Sequence, residues 1–238
     1  MSLNKELINQ GNLLFRYRSY FPLALYPLLI FFNIANQEHI YDINKLMIGL
    51  LISYFGELIR IMTIAFVPPN TSGRNTKKQT ANSLNTTGIY SLVRHPLYLG
   101  NYFILLGPFI IFPQISLIII YTLLFWIYYE RIMFAEEDYL KNKFKDDFSK
   151  WAHNIPAFIP KLSNYVKPNG SFSISRVIKR EYTGLCGIIF MFFFIMLSFG
   201  FFREMEIPHD HILTYGLLIN TIIYIILRTY KKISKKNN

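Results

Sequence analysis

Residues 97–140 read LYLGNYFILLGPFIIFPQISLIIIYTLLFWIYYERIMFAEEDYL, two apolar runs broken by Pro113-Gln114 and followed by a polar, acidic stretch. A helix crossing a bilayer needs about 20 apolar residues. The runs 97–112 and 115–129 are shorter than that, and Pro113-Gln114 reads as the tip of a tight helical hairpin that stops short of the far surface. Outward from this hairpin, further apolar blocks occupy 21–35, 46–67, 183–202 and 212–227. The 238 residues are 52% hydrophobic and only 16% charged, and the apolar residues come in blocks rather than alternating with polar ones. This excludes a disordered chain and an ordinary soluble domain. The expectation is an all-α polytopic membrane bundle of about six transmembrane segments, with a cytosolic pocket built on the polar segments.

The formal net charge of +11 is explained by topology, without nucleic acid. Of the 25 Lys and Arg residues, 22 fall in 1–20, 68–96, 130–182 and 228–238, whereas the alternate loops hold one each and Arg60 lies within a span. The positive-inside rule then puts both termini and the two long loops in the cytoplasm. The N-terminus shows no cleavable apolar core, so no signal peptide is expected. Cys186 is the one cysteine, which excludes an intrachain disulfide, and His39, His209 and His211 in the outer loops make no metal motif. No nucleotide-binding glycine motif is present. The segment 161–173, with Pro168-Asn169-Gly170, reads as a linker dividing a four-span core, 1–160, from a C-terminal pair of spans within 161–238.

Three groups of residues stand out. Pro96 fits the first turn of a helix, so the positive end of that helix points at Arg94 and His95, which either hold an anionic group or mark the headgroup level. Glu137 shares a helical stripe with Met133, Leu140, Phe144 and Trp151, the one carboxylate on an otherwise apolar face, and so needs a basic partner or a polar ligand. Glu57 and Arg60, at i and i+3 within a span, either pair structurally or line a pocket.

Read together, Gly88-x-Tyr90-x-x-x-Arg94-His95-Pro96-x-Tyr98-x-Gly100, then Arg131-x-x-x-x-Glu136-Glu137, then a tail from Trp151 to Pro160, resemble the integral membrane methyltransferase superfamily of isoprenylcysteine carboxyl methyltransferases and phospholipid methyltransferases. The resemblance covers about 75 residues. It implies S-adenosylmethionine as cofactor, held by Tyr90, Arg94, His95, Tyr98, Gly100, Glu137 and Pro156. It further implies Arg131 and Glu136 beside the reacting groups, although five residues is about 140° around an ideal helix. The N-terminal segment, the loop 71–75 and the last two spans do not resemble the family, so which acceptor is used stays open.

The resemblance implies a membrane lipid or lipidated acceptor arriving from the phospholipid bilayer. Arg60, Arg74, Arg94 and Arg131 outnumber evident bases, and guanidinium groups suit carboxylate or phosphate. An anionic acceptor, such as an isoprenylcysteine-like carboxylate or a lipid A phosphate, is therefore expected, with Arg60 and Arg74 as its contacts. The alternatives are a phospholipid amine, for which Glu136 or His153 takes a proton, and an NADPH-dependent reduction of a sterol or polyprenyl substrate, since membrane sterol reductases carry a similar Arg-His-Pro element.

Overall fold

A computed structural model describes residues 2–35, 42–68, 71, 79–203 and 210–236. Arg74, His39 and His209 lie outside the described residues. The described chain is helical: α1 (Leu3–Tyr17), α2 (Phe21–Ala35), α3 (Ile43–Phe66), α4 (Pro96–Ile110), α5 (Ile115–Asn154), α6 (Ile174–Arg203) and α7 (Asp210–Lys236), with short 3-10 turns at Ile89–Ser91 and Leu162–Asn164.

Three of these, α3, α5 and α6, are long and apolar enough to cross a membrane; α1 and α2, bent by 82° at Arg18–Tyr20, together make a fourth candidate. Among the described residues that is fewer than the six expected from the sequence. α4 falls short by length, its 15 residues making about 22 Å at the helical rise against a hydrocarbon core of about 30 Å. By contrast α5 has 40 residues, about 60 Å, so its second half projects beyond any bilayer. Lys145, at φ 47° and ψ −115°, bends it near its end.

Glycine sets the closest contact in the bundle. Gly49 and Gly56 of α3 face Gly107 and Gly100 of α4, and a Cβ on any of the four would run into backbone or side-chain atoms of the other helix. Between the two glycine pairs, Ser53 Oγ donates to the Ile104 carbonyl at 2.8 Å. Small residues let helix backbones approach where lipid gives no hydrophobic drive for association. The α4–α5 contact is aromatic instead: Tyr121 stacks on Phe109 at 4.5 Å and on Tyr102 at 5.5 Å, and its hydroxyl donates to the Tyr102 carbonyl.

The last two helices attach through polar bonds within apolar surroundings. The fully buried Asn33 of α2 donates to Ser198 Oγ of α6 at 3.1 Å, and Asn220 of α7 donates to the Cys186 carbonyl of α6. Although the sequence suggests a division at 160/161, α6 packs against α2, α3 and α4, whereas α7 packs on α6. Outside the bundle, α1 lies along α5, with Gly11 against the Arg131 carbonyl.

Candidate functional site

The segment before α4 is shaped by one glycine. Gly88 has φ 64° and ψ −135°, a conformation that side chains disfavour, and it pairs through its N–H with the Val166 carbonyl at 2.9 Å. Ser91 Oγ donates to the Gly88 carbonyl and accepts from the Val166 N–H, which closes the turn. The chain after α5 then runs back over this turn. Arg94 and His95 N–H groups donate to the Pro156 and Ala157 carbonyls at 2.9 and 3.2 Å, Lys161 N–H to the Leu92 carbonyl at 3.0 Å, and Trp151 Nε1 to the Tyr90 carbonyl at 3.2 Å. The motif 88–100 and the tail 151–160 therefore form one unit. The first amides of α4 are spent inside the protein, because those of Tyr98 and Leu99 bond the His95 carbonyl.

Adjacent residues on a helix point about 100° apart, and Glu136 and Glu137 accordingly leave α5 in different directions. His95, only 6% exposed, spans the gap between them. Its Nε2 lies 2.9 Å from Glu137 Oε1 and its Nδ1 lies 3.5 Å from Glu136 Oε2. Arg94 Nε is 3.2 Å from Glu137 Oε1. On the other side, Tyr98 donates its hydroxyl to Glu136 Oε1 at 2.7 Å, and Arg18 Nη1, at the α1–α2 bend, is 3.6 Å from the same oxygen.

Both partners of the His95–Glu137 contact respond to it. Burial would lower the His95 pKa, but hydrogen bonds to Glu136 and Glu137 and their charges outweigh burial, so it lies above the ordinary 6.5. Burial would raise Glu137, yet the His95 hydrogen bond and the charges of His95 and Arg94 hold it below the ordinary 4.5. The structure thus favours an imidazolium between carboxylates.

Two cavities meet at this cluster. One, of about 580 Å³, is lined by Tyr90, His95, Tyr98 and Glu136 at one end and by Arg60, Asn101, Tyr129 and Glu181 at the other. The second, of about 440 Å³, lies between α1 and the far part of α5 and is lined by Glu137, Asp138 and His153. Arg94 borders both.

Of the residues singled out from the sequence, Tyr90, Arg94, His95, Tyr98, Glu136, Glu137 and Pro156 come together here. Gly100 does not line either cavity: it sits in the α3–α4 contact, against Gly56 and the Arg60 side chain. Arg131 is also elsewhere. Its Nε donates to Gln10 Oε1 of α1 at 2.8 Å and its Nη1 to the Ile127 carbonyl, so it fastens α1 to α5 while Glu136 faces the large cavity. The 140° separation expected from their spacing is not overcome by a bend, since the break in α5 falls later, at Lys145.

Arg60 lines the large cavity, but with a partner that the sequence did not suggest. Its Nε and Nη2 donate to both carboxylate oxygens of Glu181, fully buried in α6, at 2.9 and 3.1 Å, and its Nη1 donates to Asn101 Oδ1. Glu57 is farther away, at 3.8 Å. Arg18, Asn101, Tyr129 and Glu181 are site residues that sequence reasoning did not pick out. Glu181 follows Lys179-Arg180 at the start of an apolar run and reads as one more interfacial charge, and Arg18 reads as part of a basic N-terminal segment.

Residues 44–147, which hold α3, α4 and most of α5, match the phospholipid methyltransferase family model. The chain is also similar to protein-S-isoprenylcysteine O-methyltransferases: that of Schizosaccharomyces pombe is 30% identical over 84 residues, covering 35% of this chain and 36% of the relative, and that of Tribolium castaneum is 28% identical over 124 residues, covering 50% and 42%. A cobalt-zinc-cadmium resistance protein of Cupriavidus metallidurans is 36% identical over 84 residues, covering 35% and 38%. Residues 44–147 are therefore similar to the membrane methyltransferase superfamily. The chain spans less than half the length of each of these relatives. No solved structure matches it.

Proposed function

We propose that the protein transfers a methyl group from S-adenosylmethionine to a membrane-embedded lipid or lipidated acceptor, with the site and both termini on the cytoplasmic side. One observation carries this reading: the segment 88–100 and the Glu136-Glu137 pair of α5 meet through His95 at the end of a large cavity. The sidedness is supported by the placement of 22 of the 25 Lys and Arg residues on one set of segments.

The residues present fit the cofactor. A cavity of about 580 Å³ is in the range of small-molecule sites. The Glu136 carboxylate and the Arg94 guanidinium border it, and they are complementary to the ammonium and carboxylate of an amino acid. Tyr90 offers an aromatic wall. When bound, S-adenosylmethionine supplies an electrophilic methyl group on a sulfonium.

The chain's own contribution is placement. His95, locked between the two glutamates, fixes where each carboxylate points, and the tail from Trp151 to Lys161 holds the segment that carries His95. Holding two reactants in line is worth about 7 to 11 kcal/mol.

For the acceptor, Arg18 and Arg180 also border the cavity, which supports an anionic carboxylate or phosphate, methylated without a proton acceptor. Arg60 contributes less directly, because its donors are engaged by Glu181 and Asn101. A second reading, a lipid amine, is favoured by Glu136, which faces the cavity and is placed to accept a proton.

The test is purification in detergent, titration with S-adenosylmethionine and with NADPH, and incubation with a total membrane lipid extract followed by mass spectrometry. The expected result is saturable binding of S-adenosylmethionine and a lipid species heavier by one methyl group, whose headgroup separates the anionic from the amine reading. Binding of NADPH alone, or no methylated lipid, would overturn the proposal.

A further inference from the structure

The far end of the large cavity is built partly by a helix that lies outside the family-matched segment. There, Glu181 of α6 is fully buried and grips Arg60 of α3 with both carboxylate oxygens. Arg60 Nη1 donates to Asn101 Oδ1 of α4 at 2.6 Å, and Asn101 Nδ2 donates in turn to the Tyr129 hydroxyl of α5 at 3.3 Å. Four helices are thus tied by one chain of polar contacts, and each of its four residues also borders the cavity. The chain does not stop there. The Tyr129 ring lies 4.9 Å from that of Tyr98, whose hydroxyl holds Glu136.

A fork-to-fork carboxylate–guanidinium pair is the most orientation-specific contact that side chains make. Such a pair inside a membrane bundle is costly to desolvate, and intramembrane ionisable groups characteristically face a bundle interior or a wet cavity where they serve a function. The small-residue α3–α4 contact and the Asn33–Ser198 bond already hold α3 to α4 and α6 to α2. Joining the helices does not by itself require Glu181. Glu181 takes the Nε and Nη2 donors of Arg60, whereas Asn101 takes Nη1 and Glu57 lies 3.8 Å away, so Glu181 makes the largest contribution to the direction of the guanidinium and, through it, of the Asn101 amide.

We infer that Glu181 is a positioning residue for the acceptor: it holds Arg60 and Asn101 as a preset polar wall against which the lipid headgroup seats, so that α6 completes a site whose cofactor end is built from α4, α5 and the tail. This rests on the methyl-transfer reading above. Loss of the Glu181 charge frees Arg60 to turn into the cavity and unseats the acceptor, without disturbing the cofactor end, where His95, Glu136 and Glu137 retain their own partners.

The experiment compares the wild type with Glu181→Gln, Glu181→Asp and Ser198→Ala in detergent, reading three quantities: affinity for S-adenosylmethionine by calorimetry, the concentration of total membrane lipid extract giving half-maximal methylation, and the unfolding temperature. Glu181→Gln, nearly the same shape, should raise half-saturating lipid about tenfold, as expected for losing a hydrogen-bonded charge partner, and leave cofactor affinity unchanged. Glu181→Asp, which keeps the charge, should recover part of that loss. Ser198→Ala, which loosens α6 away from the cavity, should lower the unfolding temperature without moving the lipid requirement. The inference is overturned if Glu181→Gln leaves the lipid requirement at the wild-type value, if it weakens cofactor binding in parallel, or if Ser198→Ala raises the lipid requirement equally. A wild-type protein that binds no S-adenosylmethionine and methylates no lipid overturns the methyl-transfer reading and this inference with it.

Discussion

Nε2 of His95 lies 2.9 Å from Oε1 of Glu137, a contact that ties the residue before α4 to the projecting half of α5. The His95 pKa lies above its ordinary 6.5, so its contribution to stability is fully present below 6.5 and is lost as pH rises through the folded-state value. The Glu137 pKa lies below its ordinary 4.5, so its contribution is present above 4.5 and is lost as pH falls through the folded-state value. Both are in place together from 4.5 to 6.5. The unfolding temperature in detergent should be highest in that window and decline on either side. His95→Gln should flatten the alkaline decline while leaving an acidic one.

Glu137 lines the second cavity rather than the large one, but it holds Arg94 and His95, which border the large cavity, and so acts on the cofactor through them. Glu137→Ala should weaken S-adenosylmethionine binding by at least about tenfold, the scale of a lost charged hydrogen bond, as measured by calorimetry. A non-catalytic membrane scaffold would show no binding in either form.

Arg131 and Glu136 stand five residues apart but do different work. Arg131 bonds Gln10 of α1, whereas Glu136 faces the cavity beside Tyr98. Arg131→Lys should therefore cost about 1 kcal/mol of stability, the scale of one net hydrogen bond, with turnover per folded molecule little changed. Glu136→Gln should weaken S-adenosylmethionine binding, and at saturating cofactor it should reduce turnover on the order of a hundredfold if an amine is the acceptor, because it removes the proton acceptor, and much less for an anionic one. Turnover of both variants, normalised to folded protein, checks the division.

What was legible from sequence follows from what is local. The segment 88–100 and the acidic pair announce themselves because several unusual residue types crowd into short stretches, and a helix start at Pro96 and a helix through Glu137 follow from spacing alone. The single lone carboxylate on the Met133–Leu140 stripe needed a basic partner, and His95 and Arg94 provide it. Contacts between distant segments left no such mark. Glu181 is separated from Arg60 by 121 residues, and nothing in Lys179-Arg180-Glu181 distinguishes a buried carboxylate from an interfacial one. Among the described residues fewer spans are found than expected, in part because apolar composition does not report that α4 ends after 15 residues.

Gly100 shows how a motif residue can owe its identity to packing rather than to a ligand. It repeats Gly107 at seven residues, as Gly56 repeats Gly49, and the two pairs face each other across α3 and α4. A methyl group at Gly100 would run into the Gly56 carbonyl and the Arg60 side chain, and backbone cannot retreat as a flexible side chain can. Gly100→Ala should therefore destabilise the bundle by about 1 to 3 kcal/mol, the usual cost of overpacking, and Gly56→Ala should do the same from the opposite helix. The two substitutions should not add fully, since each already forces the same pair of backbones apart. Unfolding temperatures of the single and double variants test this, and calorimetry on the remaining folded protein should find S-adenosylmethionine affinity close to that of the wild type. A Gly100→Ala protein with an unaltered unfolding temperature and lost affinity would instead make this glycine a direct cofactor contact, and would require the α3–α4 interface to open further than its present spacing allows.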